Sequence, residues 1–319
     1  MTPLTTIPAK ADIEATHEAI QPLIHRTPVL TCSAINDRAG AELFFKCENF
    51  QKVGAFKMRG ASNAAVRLSE AERQKGLATH SSGNHAQAVA LSAKMLGVPA
   101  YIVMPENAPA AKRAATEGYG AAITSCKNTL AARESTLEQI VAETGATFIH
   151  PYNDYNVIAG QATCAKELLE DTSGLDILTA PVGGGGLMSG TALSARYFGQ
   201  NLKVYGAEPE AVDDASRSLK SGTLQFNTTI DTIADGLRTN LGEKTFDILQ
   251  RELDDIFTVT EAEILQAMRL IWERMKIIIE PSCAVPLAAI LKQPAVFAGK
   301  RVGVILTGGN VDLGQLPFE

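Results

Sequence analysis

The chain has 319 residues, 45% apolar and 20% charged, which is ordinary for a globular protein and leaves room for two domains of roughly 150 residues. Its net charge of −6, without a basic run and with only 6% aromatic residues, lacks the electrostatic footprint of a nucleic-acid binder, so small molecules are the expected partners. Five dispersed cysteines (Cys32, Cys47, Cys126, Cys164, Cys283) with no C-x-x-C pair read as reduced thiols, and with no apolar signal core and no run of ~18 apolar residues the expectation is a cytoplasmic protein without a membrane span.

In chain order, the first unusual stretch is "NFQKVGAFKMRGA" at 49–61. Lys57 there is hemmed in by Gly54, Ala55, Phe56, Met58, Gly60 and Ala61, and a lysine with restricted hydration is a candidate nucleophile. A snorkelling surface lysine fits the same stretch. From about residue 76, short apolar runs alternate with helical patterns: "GLATHSS" then "NHAQAVALSAKMLG", "AYIVMP" then "AAKRAATEGYG", "AAITSC" then "TLAARESTLEQIVAETG", "TFIHP" then "VIAGQATCAKELLE". The rhythm resumes with "LDILTAPVGGGG", "LMSGTALSARYFG" and "KVYGAEPE", and after the helical "TEAEILQAMRLIWERM" it closes on "RVGVILTGGN". Such alternation predicts βαβ units and an α/β fold on parallel sheets. Runs such as "DILTAPV", apolar throughout, predict strands covered on both faces. No linker marks a domain boundary. A smaller domain over 76–154, inserted into a larger one formed by 1–75 and 155–319, fits the pattern, as do two domains in tandem.

Ligands of open parallel sheets bind beyond the carboxyl ends of the strands, so the loops that follow strands carry the argument. In "PVGGGGLMSG", Gly183, Gly184, Gly185 and Gly186 follow a strand and open a helix, where converging backbone N–H groups and the helix dipole suit a phosphate. The loop has no Walker lysine and no G-x-G-x-x-G, so neither a nucleoside triphosphate nor a dinucleotide is favoured. In "HSSGNHAQA", Ser81, Ser82, Gly83 and Asn84 bring hydroxyls, a backbone nest and an amide to a helix start, a set suited to a carboxylate and larger than capping needs. His85 reads as a local hydrogen-bonding residue. The third loop, "LTGGN" at 306–310, offers the Thr307 hydroxyl.

A confined lysine, a phosphate nest and a carboxylate loop together suggest a phosphorylated aldehyde cofactor on the lysine and an amino acid as substrate. "FKMRGA", "SSGNHAQA", "GGGGL" and "TGGNVDL", in this order, resemble the fold-type II pyridoxal-phosphate enzymes, in the branch of serine racemase, threonine and serine dehydratases and 3-hydroxyaspartate dehydratases, and the likeness covers nearly the whole chain. The resemblance implies a parallel-sheet large domain with a smaller inserted α/β domain, and a homodimer. It implies that Lys57 carries pyridoxal 5'-phosphate as an internal aldimine, that Gly183 to Gly186 with Leu187 hold the phosphate, that Asn84 contacts the phenolic oxygen, that Phe56 packs beside the ring, and that Thr307 meets the pyridine nitrogen, where many relatives have serine. A hydroxyl partner weakens the electron sink relative to an aspartate, and elimination from Cβ is then a natural outcome. Lys57 is expected to take the α-proton, with the cofactor phosphate a candidate acid for the departing hydroxyl. Ser82, where many threonine dehydratases carry alanine and the racemases serine, is expected to act on the opposite face of Cα and to give some racemisation.

In "AEPEAVDD", Glu208, the Val212 carbonyl and Asp214 are oxygen ligands of the kind that magnesium or calcium takes, or simply a solvated acidic loop; likeness to serine racemase favours a divalent cation, Mg2+ or else Ca2+ or Mn2+. "HPYNDYNVIAGQATCAKEL" and "EPSCAVPLAAIL" look closer to the 3-hydroxyaspartate dehydratases than to animal serine racemases. The expected reaction is therefore loss of water and ammonia from a β-hydroxy-α-amino acid, 3-hydroxyaspartate first, with serine racemisation and serine or threonine dehydration as the alternative. A β-carboxylate needs a cationic partner, for which Arg133 and Arg238 are candidates beside the substrate loop Ser81–His85. A β-replacement synthase shares fold and cofactor but usually carries "TSGN" where this chain has "SSGN". The chain stops soon after "TGGNVDL", so a regulatory domain with isoleucine feedback is not expected.

Overall fold

The βα rhythm read from residue 76 onward is present in the computed structural model, which describes residues 1–108, 110–314 and 316–318. The strands are β1 (Val29–Leu30), β2 (Glu42–Cys47), β3 (Leu77–His80), β4 (Ala100–Pro105), β5 (Ala122–Cys126), β6 (Thr147–Phe148), β7 (Ile177–Pro181), β8 (Lys203–Pro209), β9 (Asp255–Val259) and β10 (Arg301–Leu306). They form two sheets, one in the order β1-β2-β10-β7-β8-β9 and one in the order β5-β4-β3-β6. Every pairing is parallel except that of β1 with β2.

The larger sheet shows why its strands are apolar at every position. Val302, Val304 and Leu306 of β10 join the core built with the helix Pro281–Lys292, while Ile305 points to the opposite face and packs with residues of the helices Tyr155–Asp171 and Gly186–Phe198. Alternate side chains enter opposite layers, and both layers are dry. Each buried Leu or Ile contributes roughly 1.5–3 kcal/mol. The smaller sheet is covered more thinly: β5 buries only Cys126, and the helix Leu130–Thr144 buries only Leu137.

Helix starts follow local chemistry. Asp154 accepts the N–H groups of Asn156 and Val157 at 2.7 and 3.2 Å to open Tyr155–Asp171, and Thr260 with Glu263 forms a reciprocal capping box for Glu261–Met275. The helix Lys57–Arg67 lies against Tyr155–Asp171 backbone to backbone: a Cβ on Gly160 would come 2.5 Å from the Arg59 carbonyl oxygen. Only glycine permits that approach.

Candidate active site

The loops after β3, β7 and β10 converge on Lys57, the first residue of its helix. Phe56 is tied to the end of β10, its N–H donating to the Thr307 carbonyl at 3.0 Å, and Ala55 bridges Gly308. The Lys57 amine donates to the Pro151 carbonyl at 2.8 Å and lies 5.1 Å over the Phe56 ring. The side chain keeps partial exposure, yet burial of the amine pulls its pKa down to about 8, against the opposing charge of Glu280.

After β7, the four glycines are buried and their lack of side chains is used. A Cβ on Gly184 would sit 2.3 Å from the Tyr152 ring, and one on Gly185, whose φ is +84°, 2.7 Å from Leu241 Cδ2. Among the described residues none accepts from the N–H groups of Gly183, Gly184 or Gly185, which open the helix Gly186–Phe198. Leu187 is buried in the core below. Oriented donors at a helix start suit an anion such as a phosphate. After β10, the Thr307 hydroxyl is buried near the Cys283 thiol and has no hydrogen-bond partner among the described residues. A buried hydroxyl of this kind fits a polar atom of a bound group.

After β3, Ser81, Ser82 and Gly83 are half-buried and Asn84 begins the helix Asn84–Leu96. The Asn84 amide donates to both oxygens of Glu280, at 3.0 and 3.1 Å, and accepts from Asn310 at 2.8 Å. Burial raises the Glu280 carboxyl to about 7, with the charge of Asp235 adding to it. His85 is buried with Nε2 at 2.9 Å from the Ile149 carbonyl, so that nitrogen carries the proton and Nδ1 is left without a partner. Burial drops its pKa to about 3.

The two arginines are not drawn in. Arg238 is exposed and its Nε donates to the Thr232 carbonyl at 2.9 Å, while Arg133 Nε reaches the Thr129 carbonyl at 3.4 Å, although its charge adds to burial in lowering the pKa of His80, next to Ser81. Glu208 ends β8 and Asp214 starts the helix Asp214–Ser221, both fully buried. Burial and the neighbouring Asp214 push Glu208 well above the carboxylate range, and burial lifts Asp214 to about 6. Asp214 Oδ2 accepts from Leu241 N–H at 2.8 Å, and Leu241 packs on Gly185, so the acid pair supports the glycine loop. Among the described residues no group of three or more His, Cys, Asp or Glu is arranged for a metal; the set here is two carboxylates with buried Val212 between them.

Glu280 and Tyr152 were not singled out by residue type. Their signals were present: "EP" places an acid before a helix-opening proline, and "HPYNDYN" follows a strand.

Residues 20–308 match the family described as pyridoxal-phosphate dependent enzyme. The chain is 51% identical over 313 residues to the beta-hydroxyaspartate dehydratase of Paracoccus denitrificans, covering 98% of this chain and 99% of that one. It is 50% identical over 308 residues to the L-threo-3-hydroxyaspartate ammonia-lyase of Saccharomyces cerevisiae, covering 96% and 94%. The crystal structure of serine racemase from Dictyostelium discoideum superposes with a TM-score of 0.92 at 52% identity, over 96% of this chain and 99% of that one. Glycine nest, orphaned Thr307 hydroxyl and desolvated Lys57 all fit the cofactor that the family is named for, and the chain belongs to the pyridoxal-phosphate-dependent enzymes, with the fold of their serine racemase and threonine deaminase members.

Proposed function

We propose that the protein removes water and ammonia from a β-hydroxy-α-amino acid, 3-hydroxyaspartate before serine or threonine, yielding oxaloacetate and ammonia. The observation that carries the reading is the Lys57 amine, brought down to a pKa of about 8 between the Pro151 carbonyl and the Phe56 ring and facing loops suited to a phosphate and a carboxylate. The names of the Paracoccus and yeast relatives support the substrate.

Pyridoxal phosphate supplies an electron sink for the charge left at Cα when its proton departs. Lys57 would hold the cofactor, and its free amine, brought by burial to a pKa of about 8 and so available in neutral form close to neutral pH, receives the Cα proton. The N–H groups of Gly183 to Gly186 would hold the phosphate, Phe56 would flank the ring, Thr307 would meet the ring nitrogen, and Asn84, itself fixed by Glu280 and Asn310, would meet the phenolic oxygen. Ser81, Ser82 and Gly83 bind the α-carboxylate and help exclude water. The β-hydroxyl leaves as water, its added proton balancing the one that Lys57 takes from Cα, and hydrolysis of the enamine releases the 2-oxo acid and ammonia.

Glu208, Asp214 and the Val212 carbonyl take a divalent cation in this reading, supported by two adjacent carboxylates whose pKa values are raised by burial. Of the two arginines, Arg133 keeps its candidacy for the β-carboxylate because its charge reaches His80, whereas Arg238 is held by its own loop. Residues 76–154 form the smaller unit, two copies pair, and five free cysteines favour the reducing cytoplasm.

A second reading is serine racemisation with dehydration, favoured by Ser82 and by the likeness to the Dictyostelium racemase. The deciding experiment supplies cofactor-loaded protein with magnesium and, separately, L-serine, L-threonine and each 3-hydroxyaspartate stereoisomer. Oxaloacetate and ammonia from one hydroxyaspartate isomer far faster than pyruvate from serine is the expected result; fast serine turnover with D-serine appearing establishes the second reading.

A further inference from the structure

Lys57 opens its helix without a side-chain cap, and only tight turn bonds hold its start, from the Met58 N–H to the Ala55 carbonyl at 3.4 Å and from the Arg59 N–H to the Phe56 carbonyl at 3.0 Å. The Arg59 side chain is the further anchor of that turn. Arg59 lies about 200° further round the helix axis than Lys57, on the side away from the cleft. It is wholly buried and all five of its N–H donors are placed. Nε donates to Glu48 Oε2 at 2.8 Å, Nη2 to Glu48 Oε1 and to Glu167 Oε2 at 2.8 Å each, and Nη1 to Glu167 Oε1 at 2.9 Å and Thr163 Oγ1 at 3.1 Å.

The two acids are fixed in turn. Thr27 Oγ1 donates to Glu48 at 2.6 Å, and Lys46 Nζ, 2.8 Å from Glu167, donates to the Thr27 carbonyl at 2.7 Å. His17 Nε2 stands 3.3 Å from the other Glu167 oxygen. Two buried cations and two buried anions balance, and the carboxyl of Glu167 is held below its ordinary range because hydrogen bonds from His17 and Arg59 outweigh the opposing effect of burial. The atoms come from β2, the 48–50 turn, the Lys57 helix and Tyr155–Asp171. Gly160 lies against the Arg59 carbonyl and Gly60 there, with the Gln161 and Val157 side chains filling the space over Gly60, and Arg59 adds the charged contact that fixes the rotation of the Lys57 helix at this close crossing.

We propose that Arg59 is a positioning residue for Lys57: its fork onto Glu48 and Glu167 fixes the rotation of the first helical turn, and with it the direction and hydration of the amine on the opposite side. The claim concerns the amine itself and stands apart from the choice of substrate. The charged and titratable groups facing the amine are Glu280, which opposes its loss of charge, and His85 and His150, both driven toward the neutral form by burial.

The test is competitive acetylation of the full-length, cofactor-free protein across pH, read at the Lys57 peptide by mass spectrometry, which reports the amine's pKa without turnover. Arg59→Lys is expected to raise that pKa by at least about one unit, a roughly tenfold loss of neutral amine near pH 7. Thr163→Val, which removes one of the five acceptors and leaves the charges paired, is expected to give a smaller rise. Ile290→Val, in the core on the far face of the larger sheet, serves as a stability control and leaves the value unchanged. An unchanged Lys57 pKa in the folded variants overturns the proposal, however far their melting temperatures fall, and so does an equal rise in Ile290→Val. Should Arg59→Lys not fold, Thr163→Val decides by the same criterion.

Discussion

The larger and smaller sheets meet at the cleft with opposite styles of construction. The larger sheet contributes buried backbone and buried side chains: Gly183 to Gly186, Thr307 and Glu280 are all almost fully out of solvent. The smaller sheet contributes half-exposed side chains, Ser81 and Ser82 after β3. A grip made of backbone in a dry, close-packed setting is indifferent to which amino acid arrives, whereas a rim of half-exposed side chains is where chemistry can be exchanged without disturbing the core. Relatives named as dehydratase, ammonia-lyase and racemase alike share about half their residues with this chain.

The comparison breaks first at Lys57. Lys57→Ala is expected to lower turnover by at least ~10²–10⁴-fold and to remove the visible absorbance of bound cofactor; turnover that survives would falsify the assignment of the dry side as the reacting side. Next in size is the cation. Burial raises Asp214 to about 6 and Glu208 well above the carboxylate range, so this pair's contribution is favourable at low pH and is lost as pH rises, beginning with Asp214 near 6. Magnesium added to chelator-treated protein should then raise the melting temperature by several degrees at pH 8 and by much less at pH 5, and Glu208→Ala should abolish the shift. Equal shifts at both pH values, or none, would take the acid pair out of the grip. The smallest effect is expected on the rim: Ser82→Ala should remove racemisation while elimination from the L-isomer is largely retained, as chiral chromatography of residual serine would report. Loss of both activities together would mean that Ser82 belongs with the fixed grip.

Much of this was legible because local sequence rules and tertiary packing agree. "ILTAP" and "RVGVIL" are apolar at every position since helices cover both faces, and "GGGG" between a strand and a helix has a single economical use. The loops bearing Ser81, Gly183 and Thr307 could be placed by the rule that sites lie beyond strand ends. The rest depends on long-range partners. Glu280 matters through Asn84, 196 residues away, and Tyr152 through the missing Cβ of Gly184. No periodicity signals either contact. Arg238 illustrates the reverse: its charge was plain in the sequence, but its Nε and Nη2 donate to the Thr232 carbonyl six residues earlier.

Strand order also carries a consequence for how the chain is made. All four strands of the smaller sheet lie between Leu77 and Phe148, so that sheet has every strand it needs when less than half of the polypeptide has left the ribosome. The larger sheet cannot: β2 pairs with β10, Glu42 with Arg301, and β10 also supplies the neighbour of β7. Its centre stays empty until residues 301–306 emerge, and Lys57 waits through most of synthesis beside an unfilled slot. Nascent chains released early would therefore fold their rim and leave the grip unformed, exposing apolar strand edges to chaperones and proteases.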